Sequence, residues 1–147
     1  MLEPSALLVL AHLASTLFMV GIIWTVQIVH YPLMALVGTD RFVDYERAHS
    51  PRMAAVVMLP WTLQGLTVAG LIVATPEGVA PALVWAAAVA AAVPVLVTIL
   101  ASVPAHSRLA EGFDGRVHRR LVMTNWIRTA GWTAHGVIAV GIAVTAG

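Results

Sequence analysis

Residues 5–39 read SALLVLAHLASTLFMVGIIWTVQIVHYPLMALVGT and contain no Asp, Glu, Lys or Arg. A helix needs about 20 mostly apolar residues to cross about 30 Å of hydrocarbon. Two further charge-free stretches, 53–76 and 78–107, are also long enough, and beyond Arg120 the only charge is Arg128. Because these runs are continuous rather than alternating, they predict helices and not strands. We therefore predict an all-α bundle of four transmembrane helices, at about residues 6–36, 51–74, 81–103 and 114–145.

The composition of the whole chain agrees with this prediction. The 147 residues are 60% hydrophobic and 10% charged, with a mean hydropathy of +0.90. An ordinary soluble domain is about 45–50% apolar and about 25% charged. The chain length suits a single domain, residues 1–147, and the composition excludes a soluble globule, a disordered protein and a nucleic-acid binder. The absence of Cys excludes disulfides, thiolate catalysis and iron–sulfur ligation.

Local signals predict where the helices begin and end. Ser50 and Pro51 have the N-cap and first-turn pattern for the second helix. Pro104 is expected to end the third helix, and Asp114 can cap the fourth. The segment 40–50 between the first two helices is predicted to form a short amphipathic helix.

The basic residues indicate the orientation in the membrane. Seven of the eight Arg residues fall in the two connections after the first and third helices: Arg41, Arg47, Arg52, Arg108, Arg116, Arg119 and Arg120. The opposite side carries only Glu3 and Glu77. The positive-inside rule places the connections that carry Arg in the cytoplasm and both termini outside. We therefore expect a multi-pass protein of the bacterial inner membrane.

Polar residues on the fourth helix suggest a functional face. At 100° per residue, the polar and aromatic residues that fall within an arc of roughly 100° are His118, Asn125, Arg128, Trp132 and His135. An arginine inside a membrane is costly unless it snorkels or faces a polar interior. A snorkelling Arg beside interfacial aromatics is the alternative. We expect an inward-facing stripe in which Arg128 and Asn125 orient an anionic or carbonyl oxygen of a substrate.

Two histidines suggest a cofactor site. His12 and His135 are predicted to lie at matched depth, each about a dozen residues from an outer end of the chain. Two facing histidines at one depth suit a six-coordinate haem b inside a helix bundle. The alternative is a pair of interior histidines that are hydrogen-bonded to Ser, Thr or the backbone.

A second cluster is expected at the cytoplasmic end of the bundle. Glu46 and His49 form a Glu-x-x-His step, and His30 and His106 lie where apolar helices end. These four residues could ligate a single divalent metal ion. Alternatively, His30, Tyr31 and Arg128 could bind the polar head of a quinone or another lipophilic molecule. In a third interpretation, the loop histidines and acids are solvated or paired with the loop arginines.

Two stretches resemble a known group of proteins. The first runs from Trp24 through Gln27, His30, Tyr31 and Pro32, and is followed by Tyr45, Glu46 and His49. The second comprises Pro104 and His106, then Asn125-Trp126-Ile127-Arg128-Thr129 and Trp132. Together they look like a family of small four-helix bacterial integral membrane proteins of uncharacterised function, a resemblance that implies the fold over nearly the whole chain.

Two better-known families are similar more distantly. The haem-containing protoporphyrinogen oxidases of the HemJ type share an early His in the first helix. That resemblance implies that His12 is a haem ligand, with Gly21, Trp24 and Pro32 as loose matches. The family also uses an intramembrane Lys, which this chain lacks. The anthrone-oxygenase-like membrane proteins have a pattern similar to Asn125, Arg128 and Trp132.

These observations lead to two hypotheses on function. In the first, the protein is a membrane redox protein that uses haem or a metal ion on a lipophilic substrate such as a quinone. Its catalytic residues would be Arg128, Asn125, His30 and Tyr31, with His12 and His135 binding haem, or His30, Glu46, His49 and His106 binding a metal. In the second, it is a non-catalytic subunit or scaffold. The predicted partners are membrane lipid and a homo-oligomer or another membrane protein.

Overall fold

The computed structural model describes residues 3–146 and contains four long helices. They are α1 (Pro4–Met34), α2 (Phe42–Val73), α3 (Pro81–Leu109) and α4 (Gly115–Thr145). All four are long and apolar enough to cross a membrane, and no strand occurs in the described range. The all-α, four-helix prediction is confirmed, and the chain has the build of a multi-pass membrane protein.

The connections define the two ends of the bundle. The segments 35–41 and 110–114 join α1 to α2 and α3 to α4, and they lie at what we call the Arg-bearing end. The segment 74–80, the start of α1 and the end of α4 lie at the other end, which we call the terminal end. There Gly78 has a φ of +80°, and a Cβ on it would stand 2.5 Å from the carbonyl oxygen of Thr145. The α2–α3 turn therefore packs against the end of α4.

The second helix starts earlier than predicted. Residues 42–50 are helical as expected, but they continue into α2 without a break, so Ser50 and Pro51 lie inside the helix. Proline lacks an N–H and clashes with the preceding turn, which is why a start was predicted there. The turn is supported by side chains instead: Ser50 donates to Glu46 at 2.9 Å, and Arg52 donates to the Ala48 carbonyl at 2.7 Å.

The first and third helices each contain one wide turn. In α1 the N–H of Tyr31 bonds to the carbonyl of Val26, and in α3 the N–H of Val103 bonds to that of Thr98. These are i→i+5 bonds, so Val26–His30 and Thr98–Ser102 are π-helical. A proline follows each segment by two residues. The sequence predicted that α3 ends at Pro104. The wider turn lets the helix continue past this proline to Leu109.

The start of α4 is confirmed. Asp114 accepts hydrogen bonds from the backbone N–H of Arg116 at 2.7 Å and of Val117 at 3.2 Å. Bonds to its ionised form lower the pKa of the Asp114 carboxyl, with the Val117 N–H as the largest cause. The cap fixes where α4 leaves the Arg-bearing end.

The helices of the bundle pack unevenly. Many of its apolar side chains face outward and many of its polar side chains face inward, as in a membrane protein. Helix α1 packs against α2 and α4, and α3 packs most extensively against α4, whereas the contact between α2 and α3 is the smallest of the four between neighbouring helices. Lipid-compatible side chains such as Leu59 and Val73 are exposed, while His12, Gln27 and Glu46 are buried. Function is therefore sought among the interior polar groups and along the α2–α3 seam.

Candidate functional site

The interior polar side chains form two clusters. The His-pair cluster lies toward the terminal end and consists of His12, Gln64, Thr67 and His135. The Arg128 cluster lies toward the Arg-bearing end and consists of Gln27, Tyr31, Glu46, Ser102, His106, Asn125 and Arg128. A buried apolar layer of Met19, Ile23 and Trp132 falls between them. The two clusters are thus separate sites, as the spacing of the histidines on α1 predicts.

The His-pair cluster joins three helices through hydrogen bonds. His12 and His135 are both fully buried, and their Nε2 atoms lie 3.2 Å apart. The Nδ1 of His12 is 3.0 Å from the Thr67 hydroxyl, and the Nδ1 of His135 is 3.1 Å from the Gln64 amide nitrogen. Gln64 and Thr67 on α2 thus both hold the histidines, and neither is singled out by the sequence patterns.

The directions of these bonds can be assigned. Thr67 donates its single proton to the Gln64 carbonyl at 3.0 Å, so its oxygen accepts from Nδ1–H of His12. The Nε2 of a neutral His12 then accepts from Nε2–H of His135, whose Nδ1 accepts from the Gln64 amide. Every proton in the ring of bonds has an acceptor, so both imidazoles are satisfied in the neutral form.

This arrangement bears on the predicted haem. Two axial nitrogens at about 2 Å from one iron stand about 4 Å apart with the porphyrin between them. Here the nitrogens of His12 and His135 bond directly to each other at 3.2 Å. The residues as placed match the predicted alternative of hydrogen-bonded interior histidines, and haem ligation stays a prediction.

The Arg128 cluster is centred near the middle of α4. Arg128 is two residues from Ala130, the central residue of Gly115–Thr145. Its Nη1 donates to Asn125 at 2.9 Å and to Ser102 at 3.3 Å, while the Asn125 amide donates to Gln27 at 2.8 Å. The predicted inward-facing pair of Asn125 and Arg128 thus meets the two π-helical segments, which contribute Gln27 and Ser102.

A carboxylate, an imidazole and a phenol form a second chain in this cluster. Glu46 is fully buried and its Oε1 is 2.7 Å from Nδ1 of His106. The Nε2 of His106 is 3.1 Å from the Tyr31 hydroxyl, which lies beside Arg128. With Glu46 ionised, Nδ1–H of His106 donates to it, and Nε2 is free to accept from Tyr31. A carboxylate thereby orients an imidazole toward a phenol, the arrangement that activates a proton donor or acceptor.

The backbone also helps to fix Tyr31. His118 is buried, and its Nε2–H donates to the Tyr31 carbonyl at 2.8 Å. From the sequence, His118 could belong either to the polar stripe of α4 or to the solvated and ion-paired loop residues. It lies on the first turn of α4, and because α4 starts beside the wide turn of α1, its side chain reaches that backbone.

The four predicted metal ligands are brought together, but their rings stack. The ring centroids of His30 and His49 are 4.4 Å apart at an interplanar angle of 24°, and those of His49 and His106 are 5.4 Å apart. The Nε2 of His30 is 3.3 Å from the Tyr45 hydroxyl. Stacked imidazoles point their lone pairs side by side rather than at one centre. Across residues 3–146 no group of three or more such side chains is arranged to hold a metal ion, and metal ligation stays a prediction.

A cavity of about 520 Å³ adjoins the Arg128 cluster. Its polar lining consists of Tyr31, His49, Ser50, Thr98, Ser102, His106, Ser107 and Arg128. The rest is apolar and includes Met19, Ile22, Ile23, Val26, Met53, Val57, Met58, Trp61, Val103 and Trp132. This volume lies within the range of about 300–1,000 Å³ that is typical of small-molecule sites, and so does the mix of apolar walls with a few polar groups.

The cavity opens sideways along the α2–α3 seam. Met58 and Val103 both line it, and each is 54% exposed on the outer surface of the bundle. These two residues lie on α2 and α3, the neighbouring helices with the smallest mutual contact. The mouth of the cavity thus lies between α2 and α3, on the apolar outer surface of the bundle.

Comparison with protein-family models, with curated proteins and with solved structures found no match. The fold and the site define a class of protein. It is a membrane-type four-helix bundle with an apolar cavity that opens sideways and has one cationic wall.

Proposed function

We propose that this protein is a membrane redox protein that binds a lipophilic molecule of the quinone type in the lateral cavity. The observation that carries the proposal is the juxtaposition of apolar walls with Tyr31, His106 and Arg128 in one cavity on the α2–α3 seam. The apolar walls suit a hydrocarbon tail. The polar groups suit a head with carbonyl or hydroxyl oxygens.

Each polar group has a role in this proposal. Arg128, oriented by Asn125 and Ser102, donates to an oxygen of the head. Tyr31 exchanges a proton with that oxygen, and His106 exchanges one with Tyr31. Glu46 is a positioning residue that keeps Nδ1 of His106 protonated. Oxidation of a quinol releases two electrons and two protons, and Tyr31 and the free Nε2 of His106 form a path by which the protons leave the head one at a time.

The electrons need a carrier, which the proposal assigns to a bound metal ion, a haem or a redox partner in the membrane. His30, Glu46, His49 and His106 form the metal option, and His12 and His135 the haem option. A visible spectrum and a metal analysis of the purified protein distinguish them. The cytoplasmic membrane of a bacterium, with the Arg-bearing end inside, is the location that the arginine distribution supports.

The binding step is testable by fluorescence, because Trp61 and Trp132 line the cavity. A short-chain quinone added to the protein in nanodiscs should quench their emission saturably. The Val57→Trp variant should fill the cavity and abolish saturable quenching. The matched control is Val56→Trp, since Val56 is 44% exposed and does not line the cavity. Linear, unsaturable quenching in all three proteins would overturn the proposal.

A further inference from the structure

We infer that the molecule bound in this cavity is an anionic lipophile whose charged oxygens serve as the counterion of Arg128. The inference rests on the proposed function only in using the same cavity. It narrows the ligand from any oxygen-bearing lipophile to one that carries a carboxylate, enolate or phosphate-type charge.

The first observation is that Arg128 lacks an acidic partner. Its side-chain neighbours are Asn125, Ser102 and Tyr31, all of them neutral. Within the described residues the one carboxylate found in contact with a basic side chain is Glu46, and it is paired with His106 at 2.7 Å. Arg128 therefore has no carboxylate in direct contact, and the one carboxylate of its cluster, Glu46, lies beyond Tyr31 and His106.

The second observation concerns the donors of the guanidinium. Both hydrogen bonds of Arg128 come from Nη1, and its buried Nε has no partner in the part of the chain described. Guanidinium donors form a rigid fork that matches the two oxygens of a carboxylate or phosphate. The bonds to Asn125 and Ser102 hold the group while leaving the Nε edge unpaired.

The membrane setting decides between a neutral and an anionic ligand. Ionised side chains inside a bilayer pair with one another or with other polar groups, because an unpaired charge in a low dielectric is costly. A neutral carbonyl would accept one hydrogen bond from Arg128 and leave its charge uncompensated. An anionic head accepts hydrogen bonds from the guanidinium and places a negative charge against it.

A matched pair of probes tests the inference. The protein is placed in nanodiscs of zwitterionic lipid, and the tryptophan quenching assay is run with an alkyl hydroxynaphthoquinone, which is ionised at neutral pH, and with its neutral methyl analogue. We expect the ionised probe to bind at least about tenfold more tightly. Arg128→Gln should abolish this preference, while Arg120→Gln, an exposed residue at the Arg-bearing end, should leave it intact.

Further arms keep the result interpretable. Arg128→Lys keeps the charge without the fork, so it should retain the preference with weaker affinity even if Arg128→Gln does not fold. Equal binding of the two probes to the wild type, or an unchanged preference in Arg128→Gln, would overturn the inference. If dodecanoate binds in preference to dodecanol but no quinone binds, the counterion inference stands and the quinone proposal fails.

One more arm separates two sources of the anion. Phosphatidylglycerol in the nanodisc should compete with the ionised probe in the wild type, but not in Arg128→Gln, if a lipid headgroup is the natural counterion. Absence of competition, with the probe preference intact, identifies a free amphiphile instead. Both results support an anionic ligand and name its source.

Discussion

The Asn125 amide group links Arg128 on α4 to Gln27 on α1: its oxygen accepts from Nη1 of Arg128 at 2.9 Å while its nitrogen donates to Gln27 at 2.8 Å. Asn125 is fully buried, so neither bond is exchanged with solvent. This relationship holds the one membrane-interior arginine in place and defines the cationic wall of the cavity.

Removing Asn125 should weaken ligand binding. In Asn125→Ala the guanidinium loses an acceptor and Gln27 loses a donor, and hydrogen bonds to charged groups contribute about 1.5–3 kcal/mol. We expect the affinity for the ionised naphthoquinone to fall at least about tenfold. Thr124→Ala, on the neighbouring position facing away from the cavity, is the control for the quenching assay. An unchanged affinity in Asn125→Ala would contradict this role.

The His-pair cluster should behave as one unit in stability measurements. His135→Ala leaves His12 and Gln64 unpaired in the interior, at a cost of about 1–3 kcal/mol. Because the partners are shared, the double variant His12→Ala/His135→Ala should cost less than the sum of the single variants. Reversible unfolding in mixed micelles measures all three. Additive losses would mean that the two rings do not support each other.

The same variants test the haem prediction. If the hydrogen-bonded ring of His12, His135, Gln64 and Thr67 is the native state of this cluster, the purified protein has no Soret band that depends on the pair. A Soret band in the wild type that is lost in both His12→Ala and His135→Ala would show instead that the two rings separate to ligate iron.

The end of α4 gives a prediction for pH dependence. The pKa of Asp114 is lowered by its hydrogen bonds to the Val117 and Arg116 N–H groups. A group with a lowered folded-state pKa stabilises the protein above its unfolded value of about 3.9, and this contribution is lost as the pH falls through the folded-state pKa. Asp114→Asn keeps a cap but cannot titrate, so its Tm should fall less than that of the wild type on acidification below about pH 4. Parallel Tm curves would contradict this.

Two glycines offer a matched test of the packing. A Cβ on Gly131 would stand 3.0 Å from Cδ of Pro94 on α3, whereas one on Gly65 meets nothing within 4 Å. Gly131→Ala should therefore destabilise the bundle by about 1–3 kcal/mol through overpacking. Gly65→Ala should be neutral or stabilising by up to about 1 kcal/mol, because alanine favours the helix. Equal effects on unfolding in detergent would show that α3 and α4 do not approach as described.

The sequence predicts the fold through its charges and less well through its prolines. The charge-free runs and the arginines place four spanning helices, and Asp114 marks the start of α4. Pro51 and Pro104 were expected to mark helix ends, but both lie inside helices, because side chains support one turn and a π-helical segment accommodates the other. Local sequence signals do not show that side chains or a wider turn will make up for the hydrogen bond that a proline removes from a helix.

Helical periodicity predicts the polar stripe on α4. The distances of His12 and His135 from the outer ends of the chain predict that the two residues lie at the same depth. The direct contact of Glu46 with His106 and the role of Ser102 are not predicted in this way. They depend on how α2 and α3 are placed around α4, and so does the lateral cavity. The available signal was weak: Glu46 and Ser102 are polar residues near apolar helix ends, where solvated residues are also common.

The central claim is that a lipophilic molecule occupies the cavity on the α2–α3 seam, and photoaffinity labelling tests it directly. A quinone analogue that carries a diazirine on its tail is irradiated with the protein in nanodiscs, and the labelled residues are mapped by mass spectrometry. We predict labels on cavity residues such as Met53, Val57 and Trp61, which excess unmodified ligand removes. Labels spread over lipid-facing residues such as Leu36 and Val144, unchanged by competitor, would contradict the claim.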